Sequence, residues 1–316
     1  MYTAIRVKYH ESVTKENDMP TNETSPRNAA LSNRTFGVEI EFIINLNQNE
    51  TRRQLAALGL NIETGARYTH AVTPGWKIVA DGSVSNGWEA VSPILSGIEG
   101  LRETTKMMDA IRSIGGRVNS SCGLHVHVGA ADLTPTQSSR LIRLHDRAEK
   151  QLGLKDILAP SRRSSSWARP TNPDILAAAE RGPLSFDQAR RIQNYGRYFS
   201  LNMFDRCATY GTVEFRSHQG TLDAAKAVAW IILCVRMVES CVDSPERHTR
   251  RVTGDAKQRF HTLRCALGLS RYARSGYATN DDIVQWAGYY LEARRCHFAG
   301  ESVRMRGNFR ATLMAD

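Results

Sequence analysis

Apolar and polar side chains alternate most sharply in FGVEIEFII (36–44). Val38, Ile40 and Phe42 fall on one face, and Glu39, Glu41 and Ile43 on the other, the period of a half-buried strand. GLHVHVG (123–129) repeats the pattern, with Leu124, Val126 and Val128 opposed to His125 and His127. GWKIVADGS (75–83) reads as a strand running into an Asp-Gly turn. WEAVSPIL (88–95) reads as a second strand that could close a hairpin with it. RYFSLNM (197–203) and GTVEFRS (211–217) read as two more. Between them the period lengthens. Residues 97–116 place Leu101, Met108 and Ile111 on one stripe and stop at Gly115-Gly116, the signature of a helix. Residues 134–153 open on Thr134-Pro135, a cap with proline in the first turn. Residues 221–242 carry a strong apolar stripe.

The order strand, hairpin, helix, histidine strand, helix, strand, strand, helix predicts an α+β fold, a sheet with helices over one face. Residues 1–33 are polar and aperiodic and read as an extended or flexible arm. Residues 34–245 hold the strands and their helices, as one domain. Residues 246–316 read as a basic helical extension packed on that domain. Residues 155–183, rich in Ser, Arg and Pro, read as a long loop with short helical pieces, a candidate lid.

Composition changes this picture little. The chain has 316 residues, 41% hydrophobic and 23% charged, ordinary for a soluble globular protein. The longest apolar run, AVAWIILCV (227–235), is too short to span a bilayer, and the N-terminal stretch lacks the apolar core of a signal peptide. A cytoplasmic protein without membrane contact is therefore expected. Six cysteines without a C-x-x-C pair read as free buried thiols; nothing near Cys122 marks it as a nucleophile. The net charge of +10, with a pI near 9.5, attracts anions. The Arg-rich stretches 161–165, 189–193, 247–251 and 293–295 are scattered and lack interleaved aromatics. They read as a solvated surface, with nucleic acid left open as a minor partner.

Taken singly, two carboxylates on a strand are a solvated face, and VEFR is a cross-strand ion pair. Taken together they are harder to explain so. Glu39 and Glu41, Glu89, and Glu214 lie on three strands that would aim carboxylates at one surface, beside His125 and His127. Clustered carboxylates repel unless a cation neutralises them. An oxygen-rich set with one or two imidazoles suits Mg²⁺ or Mn²⁺ better than zinc. Arg216, two residues after Glu214, would share their face, and a guanidinium beside a metal-binding carboxylate suits phosphoryl transfer. The residues alone lead to a metal-dependent site that handles phosphate on an open sheet. They do not name a reaction.

FGVEIEF, DGSV (81–84), WEAVSPIL, GLHVHVG, RYFSLNM and GTVEFRSHQGTLD (211–223) occur in that order. Over residues 34–245 the chain thereby resembles the amidoligase family of carboxylate–amine ligases, related to glutamine synthetase and glutamate–cysteine ligase. The resemblance implies a glutamine synthetase-like catalytic fold: a curved antiparallel sheet with helices on its convex face, and ATP with Mg²⁺ (or Mn²⁺) on its concave face. It also implies amide-bond formation between a carboxylate and an amine through an acyl phosphate, with either substrate a small molecule, a macromolecular side chain or a base. Glu39, Glu41, Glu89, His125 and Glu214 match the metal ligands. His125, His127, Arg216, Arg197 and Asn202 match the residues around nucleotide and phosphate. Arg216, Arg197, Glu214 and Glu39 carry the catalytic roles. Asp81 joins the site without an assigned role. A homo-oligomer is left open.

Three features qualify this reading. The chain has no glycine-rich phosphate loop, so nucleotide binding falls to the sheet and its metals. A cupin-type site requires a Glu shortly after the second His, and Gly129, Ala130 and Ala131 stand there. A metal-dependent amide hydrolase, or a non-catalytic protein binding nucleic acid or protein through its basic surface, remains the alternative.

Overall fold

The structure is a computed structural model. It describes residues 31–63, 71–82, 84, 86–193, 196–203, 207, 210–243, 252, 254–270, 280–303 and 308–314; nearly all of the expected N-terminal arm lies outside them. In chain order the elements are β1 (Thr35–Ile43), α1 (Gln48–Ala57), β2 (Lys77–Val79), β3 (Gly87–Val91), β4 (Leu95–Ser96), α2 (Gly97–Ser113), β5 (Gly123–Gly129), α3 (Pro135–Lys150), α4 (Pro173–Arg181), α5 (Phe186–Gln193), β6 (Leu201–Asn202), β7 (Thr212–Gln219), α6 (Ala224–Asp243), α7 (Ala256–Ala266), α8 (Asn280–Ala299) and α9 (Phe309–Met314). The strands form one seven-stranded sheet in the order β2-β3-β1-β5-β7-β6, with β4 pairing on β1. Each of these pairings is antiparallel.

β1 holds the centre because its alternating apolar face is continuous. Phe36, Val38, Ile40 and Phe42 are all buried, as are Leu124, Val126 and Val128 of β5 and Val213 and Phe215 of β7. Each such side chain contributes about 1.5–3 kcal/mol on burial. A one-residue slip would turn the whole row outward, so the apolar face sets the register. Helices α2 and α6 lie against β1 and β5 on this side. His145 of α3 meets Phe215, and Trp230 of α6 meets His218. α6 is buried on nearly every side, from Ala227 to Val238, because α2, α3 and α8 pack on its outer surfaces. Among the described residues no helix is long and apolar enough to cross a membrane.

Helix ends follow local chemistry. α3 starts in a reciprocal cap between Thr134 and Gln137, with Pro135 in its first turn. The backbone after α2 turns left-handed at Gly115 (φ +91°). Two expectations change. The strand expected over 88–95 breaks into β3 and β4 at Ser92-Pro93, since proline cannot donate to a ladder; Ser92 Oγ instead accepts from Val38 N at 2.9 Å. The strand expected over 197–203 shrinks to β6, with one bridge from Phe199 to Arg169. The stretch 155–183 has the short helical pieces expected of it, 3₁₀ turns and α4, pinned by buried Ile157, Leu158, Ala168, Ile175 and Ala179.

Gly87 opens β3 directly opposite Ile43. A Cβ there would run into the Phe42 carbonyl oxygen and lie 2.6 Å from Val84 Cγ1. Gly87→Ala is therefore expected to lower stability by about 1–3 kcal/mol, read as a lower denaturation midpoint at unchanged m-value; an unchanged midpoint contradicts this account of the β1–β3 pairing.

Candidate active site

The opposite face of the sheet is polar because the register leaves it no choice. Glu39 sits across from His125, and Glu41 across from Glu89. His127 sits across from Glu214, which also faces Asn202 of β6. Five adjacent strands thus deliver Glu89, Glu39, Glu41, His125, His127, Glu214 and Asn202 to one surface. The β5–β7 ladder shifts by one residue: Val126 pairs with Phe215, but Leu124 pairs with His218. This bulge keeps Phe215 and His218 both against the helices and re-aims Arg216, whose backbone N–H donates to Ser200 O at 3.0 Å.

The side chains interlock closely. His125 Nδ1 lies 3.0 Å from Glu39 Oε2 and 3.5 Å from Glu214 Oε1, and its Nε2 is 3.7 Å from Glu41 Oε1. His127 Nε2 lies 3.2 Å from Glu39 Oε1 and 3.8 Å from Glu214 Oε1; its Nδ1 is 3.4 Å from Thr212 Oγ1. Glu214 accepts from the Arg216 guanidinium and, at 2.7 Å, from Asn202 Nδ2. Asn202 is fixed in turn by Gln193 Nε2 at 2.7 Å. Glu41 Oε2 accepts from the Gly123 backbone N–H at 2.6 Å. This is not a solvated strand face: Glu41 and Glu214 are each 3% exposed and Glu89 7%.

Burial pushes Glu39, Glu89 and Glu214 toward the neutral form, and the neighbours decide the outcome. For Glu39, the charges and hydrogen bonds of His127 and His125 outweigh burial and hold it well below the usual carboxylate range. For Glu214, Arg216 and His127 outweigh burial and lower it. His127 is correspondingly driven well above the ordinary imidazole value, burial being overcome by Glu39 and Glu214. Glu89 goes the other way. Burial raises it, and Glu39, Asp81 and Glu41 raise it further, well above the carboxylate range.

Three overlapping groups offer ligand atoms that lie within 4.8 Å of one another: Glu39–His127–Glu214, Glu39–Glu89–His125 and Glu41–Asp81–Glu89. Glu39 and Glu89 each belong to two of them. Carboxylate oxygen with imidazole nitrogen suits Mg²⁺ or Mn²⁺, and the repulsion gathered on Glu89 is what a divalent cation would relieve. Cys207 approaches Asn202 Nδ2 (3.7 Å) and Glu214 Oε2 (4.0 Å), but burial pushes its thiol up and keeps it protonated.

Of the residues singled out in the sequence, Glu39, Glu41, Glu89, His125, His127, Glu214, Arg216, Asn202 and Asp81 come together. Arg197 does not join them. It is exposed, with Nη2 3.3 Å from the Tyr198 hydroxyl. The Tyr198 ring lies 5.2 Å from its guanidinium and 6.0 Å from that of Arg216. Gln193, Thr212 and Lys77 carry no pattern that marks them as site residues. Lys77 is a buried amine that donates to Ala71 O at 2.8 Å; burial lowers it, against the pull of Glu39 and Glu89. Arg162 lies in a stretch whose composition describes a basic surface; the signal for it is Gly123, which opens the histidine strand.

The sequence profile of a family described as "putative amidoligase enzyme" matches residues 32–238. No curated protein matches the chain. Among solved structures it is similar to one from the complex between the prokaryotic ubiquitin-like protein Pup and its ligase PafA, at 11% identity and a TM-score of 0.39. That alignment covers 86% of this chain and 65% of the other, so the chain spans about two thirds of its neighbour's length. Residues 32–238 are more than half of the 316, and by that match the chain belongs to the amidoligase family.

Proposed function

We propose that the polar sheet face is the active site of an ATP- and Mg²⁺-dependent carboxylate–amine ligase. One observation carries the reading: in a chain of the amidoligase family, the strand register gathers Glu39, Glu41, Glu89 and Glu214 around His125, with Arg216 on the same buried face. On this reading the sheet corresponds to the curved sheet of glutamine synthetase-like ligases, with its polar face concave and its helices on the convex side.

A carboxylate is a poor electrophile. Its oxygen attacks the γ-phosphorus of ATP, the bond to the bridging oxygen breaks, and ADP leaves an acyl phosphate. The amine nitrogen then attacks the acyl carbon and expels phosphate, forming the amide. Glu39, Glu41, Glu89, His125 and Glu214 would hold Mg²⁺, which when bound neutralises phosphate oxygens. Arg216 donates to the phosphoryl group in transfer. It is suited to this because Glu214 fixes one side of its guanidinium, while its buried Nε has no hydrogen-bond partner among the described residues. His125 and His127 hold Glu39 ionised, and Asn202 orients Glu214. Arg197, exposed beside Tyr198, is placed to meet the phosphate or a substrate carboxylate at the rim. The acid and the amine are each a metabolite or a macromolecular side chain.

Three outcomes test this. ADP release from MgATP should depend on one added acid and one added amine. Glu39→Gln and Arg216→Lys should each lower that turnover by about 10²-fold or more, with the thermal midpoint near wild type; Lys is chosen because Ala would strand the buried Glu214 charge. Near-wild-type turnover in either variant removes that residue from the mechanism. Glu89→Gln copies the neutral form that the metal-free site favours. In EDTA its midpoint should equal or exceed wild type. In Mn²⁺ at about 100 times the dissociation constant, wild type should gain about 2.7 kcal/mol and the variant much less. An equal gain in both proteins removes Glu89 from the ligand set.

A further inference from the structure

Beyond the region matched by the family profile, helix α8 packs on a segment that leads to the site. It packs on the 3₁₀ turn Leu154–Ile157, where Arg294 Nη2 donates to Ile157 O at 3.4 Å. The Phe298 ring carries two guanidiniums, that of Arg294 at 4.7 Å and that of Arg163 at 5.3 Å. Arg163 also binds its own segment, donating from Nε to Leu158 O at 3.2 Å and from Nη2 to Asp156 O at 3.4 Å. The turn is tied to the sheet at Ala159, whose N–H donates to Gln219 Oε1 at 3.1 Å.

Arg162, the residue before Arg163, points the opposite way. It is 6% exposed, and its Nη2 donates to His218 O at 3.2 Å. The same Nη2 lies 2.7 Å from the point where a Cβ on Gly123 would stand, and His125 Nε2 lies 2.8 Å from that point. The missing side chain at 123 therefore lets a guanidinium reach the histidine end of the carboxylate cluster. Yet no carboxylate among the described residues lies within 4.0 Å of Arg162, and its buried Nε has no hydrogen-bond partner. Glu41 acts on it only from beyond ion-pair distance, and a buried guanidinium without a bonded carboxylate is costly. An arginine held there, beside a second arginine whose Nε is also unsatisfied, suits an anion with several oxygens.

We propose that Arg162 contacts the polyphosphate of the substrate at the His125 end of the site, and that α8, through Phe298 and Arg294, is the positioning element that holds it there. The identity of the anion rests on the ligase reading above; the contact and its positioning rest on this geometry.

Titration calorimetry with pyrophosphate and Mg²⁺ tests the contact. Wild type should bind, Arg162→Ala should bind about tenfold more weakly or worse, and Arg162→Lys should fall between them. Mn²⁺ binding without pyrophosphate should stay unchanged in both variants. Phe298→Ala should weaken pyrophosphate in the same direction and speed amide exchange over 154–163 while β1 and β5 stay protected; Phe298→Tyr should restore both. Unchanged pyrophosphate affinity in Arg162→Ala overturns the contact. Unchanged affinity and exchange in Phe298→Ala overturn the positioning role. ADP titrated alongside separates the two levels: wild type that binds pyrophosphate but not ADP sinks the nucleotide reading and leaves Arg162 to be judged by its own variants, whereas wild type that binds neither sinks both.

Discussion

The register of β1 between β3 and β5 is the constraint on which the rest depends. Four apolar side chains on one face, Phe36, Val38, Ile40 and Phe42, admit a single phase for the strand, and that phase puts Glu39 and Glu41 on the other face together with their partners His125 and Glu89. Hydrophobic burial on the helix side thus imposes an electrostatic problem on the polar side. A one-residue slip would dissolve the carboxylate cluster, but it would also expose the core row, so the site is as firmly specified as the fold.

The protein answers most of that problem with its own groups. Glu39 has two imidazoles, Glu214 has Arg216 and Asn202, and Glu41 has the Gly123 N–H. What is left over is of both signs. Glu89 is pressed toward its neutral form by burial and by its carboxylate neighbours, while Arg162 and Arg216 each keep a buried Nε without a partner among the described residues. Excess negative charge at one end and excess donors at the other are complementary to a divalent cation bound to a polyanion. A cation alone would leave the guanidiniums unsatisfied, and an anion alone would add to the repulsion at Glu89.

Period-2 alternation made β1, β5 and β7 legible from the residues, and with them Glu39, Glu41, His125, His127 and Glu214; Glu89 came with the shorter β3. The helices α2, α3 and α6 were legible from their stripes and end signals. What escaped was set by contacts distant in sequence. Ser92-Pro93 divides a strand that its apolar residues alone would continue. The bulge at Arg216-Ser217 leaves no trace in an alternation that reads smoothly through it. Arg162 belongs to a stretch whose composition describes a surface, and only the packing of α8 on one side and the absence of a side chain at Gly123 on the other turn it inward. Arg197 shows the converse: it sits in a motif that resembles the family, yet its side chain is exposed beside Tyr198.

The central claim is that this carboxylate face holds divalent cations. The measurement that tests it most directly is anomalous diffraction from crystals of the full chain grown with Mn²⁺ and a nonhydrolysable ATP analogue. The account expects anomalous peaks among Glu39, Glu41, Glu89, His125 and Glu214, with the phosphates between them and Arg216. A well-ordered site that shows no anomalous peak, or Mn²⁺ bound only elsewhere on the surface, would contradict it.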